Sequence, residues 1–477
     1  MSEHQNSFAA GALLILSSLL AGALIAATVV AQISSNRQRA VSKLAATPTP
    51  YPTPKIDPGS YLPPTPKGRI VRVSRKGGDL AALIQAAQDR TDVATVSVEG
   101  GGSITKQVVL KHHTVFDAGT YSCDVEGITD YGVFQIADNV LVEGKGTTIL
   151  EPTYHSGQAP AIEVFQAQGD SCCSHEGSSH DIAVVGFHIK GRQTVYDGGV
   201  RSTILLGNCR HCTAQNNSLE DTGSIGIELG GNAAKGNFAQ DGLIWRNTTS
   251  GVAAANIAVV NAESVFVIEN KVLRPGHHNP RFGGGVAGFD LETNTPLDHA
   301  KNIYVLNNFF DYEDAAFDGV GSAIALQDPY SGKNSGNVVV ANNRILGGRT
   351  DAVHRYMTSG IFITGELPNL RIVNNYIFKT GQAAIQMYGG GQGALIQDNQ
   401  LDSTGGGGAV AIELYDVTGA TLRRNNMFTP PNIPFSTAAG IKDCGRANVF
   451  DNNFSESPGS EIRPSSQGCP QKAPRKS

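Results

Sequence analysis

From residue 213 onward one short pattern recurs, an alternating strand of about five residues that closes on asparagine. The copies read TAQNNSL (Asn217), LIWRNTT (Asn247), VFVIENKVL (Asn270), IYVLNNFF (Asn308), VVVANNRI (Asn343), LRIVNNYIF (Asn375), LIQDNQL (Asn399), LRRNNMF (Asn426) and NVFDNNF (Asn453), spaced 30, 23, 38, 35, 32, 24, 27 and 27 residues apart. Periods in this range mark a solenoid, because so small a unit buries its apolar face only by stacking on a copy of itself. A second set of strands interleaves with the first: SIGIELGG, NIAVVNA, GFDLETN, SAIALQD, GIFITGE, AIQMYGG, VAIELYD and GIKDCG. Each rung therefore carries at least two strands joined by tight corners. Asparagine suits such a corner, since it tolerates the left-handed backbone and stacked side chains hydrogen-bond into a ladder. The pattern predicts an all-β chain folded as a parallel β-helix, right-handed as parallel crossovers are.

Composition agrees with many corners around a thin core. Glycine makes up 56 of 477 residues without a Gly-X-Y period, which excludes collagen, and a single Trp with 4 Met leaves small aliphatics to fill the interior. Charged residues are 17% of the chain, too few for a charged disordered polymer or a coiled coil. Lys and Arg number 37 against 42 Asp and Glu, a net charge of −5 with no basic cluster, which argues against nucleic acid as a partner.

The N-terminal part reads differently. Phe8 to Ala31 holds no charged residue over 24 positions, long enough to cross ~30 Å of hydrocarbon as a helix. Residues 1–33 are thus expected to be a transmembrane signal anchor or a signal peptide. Arg37, Arg39 and Lys43 after the span would favour a cytoplasmic side, but the character of the rest of the chain argues for an extracytoplasmic domain. Residues 34–69 hold eight prolines between Pro48 and Pro66 and read as an extended polyproline tether. Leu80, Leu83, Ile84 and Ala87 then recur at helical spacing, with Asp79 as N-cap, predicting a short capping helix over 75–90. The β-helix is expected over 70–460, followed by a tail at 461–477.

The opening helix, the strand and Gly-rich turn after it, and the strand repeats punctuated by paired asparagines resemble the pectate lyase-like right-handed β-helix superfamily. That resemblance covers about 70–460 and implies a fold; its members include polysaccharide lyases, polygalacturonases, epimerases and phage tailspikes, so it names no reaction. Polygalacturonases would carry Asn-Thr-Asp, Asp-Asp, Gly-His-Gly and Arg-Ile-Lys, none of which occurs here. The Arg-x-Pro-x-x-Arg of pectate lyases has only the string from Arg274 to Arg281 as its nearest counterpart, with the wrong spacing.

Because side chains alternate along a strand, aligning the second set places Ile227, Leu229, Phe289, Leu291, Ile324 and Leu326 inward. Two outward columns result. One runs Glu228, Ala258, Asp290, Ala325, Phe362, Gln386, Glu413, Lys442. The other runs Gly230, Val260, Glu292, Gln327, Thr364, Tyr388, Tyr415. Asp290 and Glu292 would lie ~6.8 Å apart, two residues of ~3.4 Å rise, within reach of the ~6.5–9.5 Å that separates acid and base in inverting glycosidases. They are the candidate catalytic pair, joined by His277 and His278 of the preceding loop, which would act as base in a lyase. Arg274, Arg281, Glu228, Gln327, Asp328, Tyr388 and Tyr415 are candidate substrate-binding residues. Outward acids that merely solvate the solenoid are the bland alternative.

Calcium is one possible cofactor: Asp311, Glu313, Asp314 and Asp318 offer hard oxygen ligands, though without ordered spacing. Cys172, Cys173, Cys209 and Cys212 fall on adjacent rungs and suit disulfides across rungs, with zinc as the other option beside His175, His180 and His211. Cys444 and Cys469 suit a bridge to the tail, leaving Cys123 over. Such pairing needs an oxidising compartment. The sequence thus predicts a cell-envelope protein, membrane-anchored or secreted, that binds and cleaves polysaccharide, acidic polymers included. The competing expectation is a non-catalytic adhesin or glycan-binding scaffold.

Overall fold

Three strands make each rung, one more than the two that the repeats display. In the computed structural model every strand pairing is parallel, and the strands form sheets of seventeen, twelve and thirteen members. The structure describes residues 50–74, 79–123, 132–150, 163–167, 178–191, 202–222, 225–231, 236–275, 286–312, 321–330, 334–347, 359–402, 410–428, 440–455, 464–466 and 469. Of two compact units, Met1–Thr49 and Pro50–Ser477, the first lies outside these residues and with it the apolar run Phe8–Ala31. No helix among the described residues is long and apolar enough to cross a membrane. The third strand escapes a sequence reading because it is short: most of its copies, such as Lys271–Leu273 and Phe309–Asp311, span 3 residues.

The twelve-stranded sheet carries the sequence-predicted acids. Its later members are β1 (Ile225–Gly230), β2 (Ala255–Val260), β3 (Val286–Glu292), β4 (Gly321–Asp328), β5 (Ser359–Gly365), β6 (Ile385–Tyr388), β7 (Ile412–Thr418) and β8 (Ile441–Arg446). Their inward residues, from Ile227 through Phe289 and Leu326 to Leu414, are fully buried. Further toward the N-terminus the interior is aromatic: Phe116, Phe134, Phe165 and Phe187 pack with ring centroids 4.7–5.8 Å apart. The helix α1 (Ala81–Gln88) covers this end, burying Leu80, Ala81, Ile84 and Ala87. Leu83, placed on the apolar face by spacing, is instead 40% exposed. The N-cap position is held by Leu80, not Asp79; one residue earlier, Asp79 still accepts the Ala81 amide at 3.1 Å and also binds the amide and hydroxyl of Thr105.

The asparagine ladder exists, with two corrections. Asn425, not Asn426, takes the ladder position in its rung; Asn426 opens the next strand. The ladder residue is also distinct from the left-handed one. Left-handed φ of 50–57° belongs to the residue before it: Asn216, Arg246, Glu269, Asn307, Asn342, Asn374, Asp398, Arg424 and Asn452. The doubled Asn of the repeat thus has two jobs, and only the second demands asparagine. From Asn217 to Asn453 each ladder amide donates to the next ladder oxygen at 2.9–3.1 Å.

Half of the predicted tether is part of the solenoid unit. The Tyr51 amide and carbonyl both bond to the Asn342 side chain, at 3.0 and 2.9 Å, Asn307 donates to Thr53 at 3.1 Å, and Gln215 donates to the Pro58 carbonyl at 3.0 Å. Tyr61 stacks on His211 and donates to Asp241. Tyr51 and Ile56 pack on Ile268, Leu306, Val339, Ala341 and Val373, outward residues of the seventeen-stranded sheet that would otherwise face water. Proline stiffness here serves docking instead of spacing: an extended segment matches successive rungs at little entropic cost. Tyr51→Ala combined with Ile56→Ala in the full-length protein should release this strap. Trypsin should then cut after Lys55 at least tenfold faster while the β circular dichroism stays unchanged; equal cleavage rates would show that the strap contributes no protection.

Cysteine pairing is partly as expected. Cys444 and Cys469 are bridged, and Ser465 adds backbone bonds to the last strand of the site sheet, covering its edge. Cys209 pairs with Cys212 across a single corner, not across rungs. A corner bond closes a loop of only 3 residues, so it locks one turn and links no neighbours. Cys172 and Cys173 lie outside the described residues, and Cys123 is buried in the core.

Candidate functional site

The strand register reproduces both outward columns: Glu228, Ala258, Asp290, Ala325, Phe362, Gln386, Glu413 and Lys442 are successive partners, as are Val260, Glu292, Gln327, Thr364, Tyr388 and Tyr415. Strand alternation then sets the spacing within a rung and the ~4.8 Å strand separation sets it between rungs.

Asp290 and Glu292 share β3. Asp290 has alanine on both sides, Ala258 and Ala325, so it sits in a notch. Its carboxylate retains some solvent contact but is closely walled, and burial pushes its pKa up to about 7. Gln327 donates to its Oδ1 at 3.0 Å, which opposes that rise, and the Glu292 charge adds to it. Glu292 is also raised, by burial and by the charge of Asp298, against a hydrogen bond from Asn294. Two carboxyls with elevated pKa on one strand are what acid–base chemistry near neutrality requires, and structural ion pairs usually shift carboxyls the other way.

Asp298 was not legible in the sequence. It lies in the loop between repeat strands, outside any alternating pattern, and its carboxylate accepts the Thr295 amide at 2.9 Å and hydroxyl at 3.0 Å. The nearest signal is a threonine three residues ahead of an aspartate, which any loop could contain. Asp328, expected to meet substrate, is buried instead (2% exposed) and accepts the Thr293 hydroxyl at 2.8 Å. It braces the loop beyond β3 from the next rung.

Toward the C-terminal end the face becomes aromatic. Tyr388 and Tyr415 stack with centroids 4.8 Å apart and an 8° interplanar angle. Lys442 lies 5.0 Å from the Tyr415 ring and donates to its hydroxyl at 3.1 Å. Gln386 donates to the Tyr388 hydroxyl and to Glu413, at 3.0 and 2.9 Å, and accepts from Ser359, so its amide holds the wall together. Glu228 stands two rungs before Asp290, roughly 9.6 Å away by the ~4.8 Å strand separation, bonded to the Ser202 hydroxyl.

Arg274 does not join this face. It leaves the sheet at Lys271–Leu273 and donates to Ser250 from Nε at 3.1 Å and from Nη2 at 2.9 Å. His277, His278 and Arg281 lie outside the described residues, as do Glu313, Asp314 and Asp318 of the acidic loop; Asp311 ends the strand Phe309–Asp311. Among the described residues no three His, Cys, Asp or Glu side chains are arranged to hold a metal ion.

Comparison with known proteins agrees with this architecture. A family profile described as a right handed beta helix region matches residues 174–427. The A-module of mannuronan C-5 epimerase AlgE4 from Azotobacter vinelandii superposes with a TM-score of 0.51 at 15% identity, over 81% of this chain and 96% of that one. Tailspike protein 3 of bacteriophage CBA120 does so with a TM-score of 0.54 at 10% identity, over 83% and 60%. A mutant tailspike of E. coli bacteriophage HK620 gives 0.51 at 16%, over 80% and 66%. At these identities the likeness is one of fold. No curated protein matches at the sequence level.

Proposed function

The chain belongs to the right-handed β-helix family, and we propose that it uses the face centred on β3 to bind and hydrolyse a polysaccharide by an inverting, acid–base mechanism. The Asp290–Glu292 pair carries this reading. Gln327 occupies Oδ1 of Asp290, leaving Oδ2 to hold the proton. With a pKa of about 7, Asp290 is the general acid below neutrality and gives that proton to the glycosidic oxygen as its bond to the anomeric carbon breaks. Glu292 takes a proton from water, whose oxygen forms the new bond from the opposite side. The ~6.8 Å between the two residues along the strand leaves room for that water.

The raised pKa of both carboxyls favours hydrolysis over elimination, since an inverting hydrolase uses two carboxyl groups as its acid and base. A lyase would instead draw on a cation beside the uronate carboxylate. That the named neighbours include an epimerase of mannuronan and phage tailspikes supports a saccharide-facing solenoid without choosing the reaction. Two disulfides support an extracytoplasmic location. A non-catalytic glycan scaffold is the second reading, favoured by the stacked Tyr388–Tyr415 wall.

Two measurements separate these outcomes. Hydrolysis releases reducing ends with no new ultraviolet absorbance, whereas elimination creates a conjugated double bond. Because the acid must be protonated, kcat should fall about tenfold per pH unit above pH ~7, following Asp290. A rate flat from about pH 5 to 9 would remove Asp290 from the role.

A further inference from the structure

Large apolar side chains exposed to water are few among the described residues, and their distribution is uneven. Ile70 and Leu83 lie at the N-terminal end of the solenoid, Val449 and Phe454 at its C-terminal end. The rest, Leu297 (60% exposed), Tyr330 (44%) and Tyr388 (38%), all follow or end strands of the acid-bearing sheet. Exposed apolar groups concentrated beside a functional face mark a binding surface.

The chain fixes their placement. Leu297 sits in the loop after β3, which Asp298 closes through Thr295, and Asn334 of the next rung donates to the Leu297 carbonyl at 3.3 Å. Tyr330 lies three residues beyond Gln327. Its amide points to Oδ1 of buried Asp328 at 3.4 Å, the same oxygen that accepts from Thr293. Beyond it two positions carry no side chain. Gly365 pairs with Asp328, where a Cβ would collide with the Asp328 carbonyl, and Gly389 has left-handed φ with the Gly365 carbonyl 4.0 Å from where a Cβ would stand; exposed Glu366 follows Gly365. On the other side of the acid pair, among the described residues, the same column holds Val260, Gly230 and Gly207, and Asn261 leads directly into the next strand.

We propose that Leu297, the ring of Tyr330 and the part of Tyr388 left exposed by its stack on Tyr415 form an apolar rim against sugar rings of a polysaccharide lying along the solenoid axis, on the C-terminal side of Asp290 and Glu292 only. The inference rests on reading this face as a polysaccharide site and adds the direction in which the polymer is held. A flat tyrosine ring complements the C–H face of a pyranose, and glycine backbone between Tyr330 and Tyr388 leaves the chain room to pass. Recognition is then one-sided: the bond cleaved lies near one end of the bound segment.

The test uses full-length protein carrying Asp290→Asn with Glu292→Gln, so that ligand is not consumed, in affinity gels containing soluble starch, laminarin, xylan, mannuronan or polygalacturonate. Adding Tyr330→Ala should weaken retardation by the best of these about 3- to 10-fold, the worth of one aromatic contact. Tyr330→Trp should preserve it, and Val260→Ala on the opposite side should leave it unchanged. In the active protein Tyr330→Ala should raise KM by the same factor with kcat intact. Undiminished retardation of the Tyr330→Ala protein overturns the rim, as does a parent that none of the polymers retards, and a loss from Val260→Ala equal to that from Tyr330→Ala overturns its one-sidedness. Hydrolysis by wild type without any Tyr330 effect leaves the acid pair standing and removes the rim. A Tyr330 effect on binding without turnover does the reverse.

Discussion

Replacing Asp290 by Asn and Glu292 by Gln together is expected to lower polysaccharide turnover by ~10³-fold or more, since general acid–base catalysis contributes about 10²–10⁴-fold. Both changes conserve shape, and the amide introduced by Asp290→Asn would still offer an oxygen to the Gln327 amide that now reaches Asp290 at 3.0 Å. The fold should therefore survive, and stability should move the other way. The Asp290 carboxyl titrates at about 7 in the folded chain against 3.8 for a free one. As pH rises from about 4 to 7 the unfolded chain gives up this proton first, so Asp290 costs stability over that window and the loss persists above it. The Asp290→Asn protein should accordingly melt higher than wild type at pH 8 and no higher at pH 3. Unchanged release of reducing ends by the double variant would end the catalytic reading; lost activity with a lower melting temperature at pH 8 would point to misfolding.

Asn308→Ala should be among the most damaging single substitutions in the solenoid, at about 4–6 kcal/mol, while Asn307→Gly one residue earlier should cost less than about 1 kcal/mol. The Asn308 side chain accepts from the backbone and side-chain amides of Asn270, at 2.9 and 3.0 Å, and donates to the Val267 carbonyl and the Asn343 oxygen, at 2.9 and 3.1 Å. All of this is buried, and each polar group orphaned there costs about 1–3 kcal/mol. Asn307 is needed chiefly for its φ of 57°, which glycine adopts without strain. Its side chain contributes one exposed bond to Thr53. Urea denaturation of the two variants side by side checks this. Equal midpoints would mean that the ladder contributes no more than the corner.

These two asparagines also show how far a repeat can be read. Spacing locates the rungs, and alternation within the second strands identifies which residues face out; both follow from short-range geometry that the order of residues imposes directly. Which asparagine of a pair enters the ladder is not a local property. In LRRNNMF the spacing points to Asn426, but the left-handed residue is Arg424, so Asn425 turns inward. Asp328 is the opposite case: alternation already puts it on the inward side with Ile324 and Leu326, and it is buried there.

The strap and Asp298 mark the other boundary. Thr-Pro alternation predicts an extended backbone, and the segment also makes a 3-10 turn at Pro58–Tyr61. Whether that backbone hangs in water or lies along rungs formed some 150 to 290 residues later in the chain depends on the apolar stripe that only stacked strands assemble. Asp298 influences Glu292 through space, from a loop that follows no period.

What the order of residues determines by itself, then, is the rung: its period, its inward aliphatics, and two outward columns with Asp290 and Glu292 on one strand. These are set by backbone geometry over a few residues. Tertiary structure alone decides the electrostatic state of that pair and the frame around it. Burial of Asp290 among stacked rungs, the Gln327 hydrogen bond and the Asp298 charge all come from neighbouring rungs and loops, and a pKa is the sum of such surroundings.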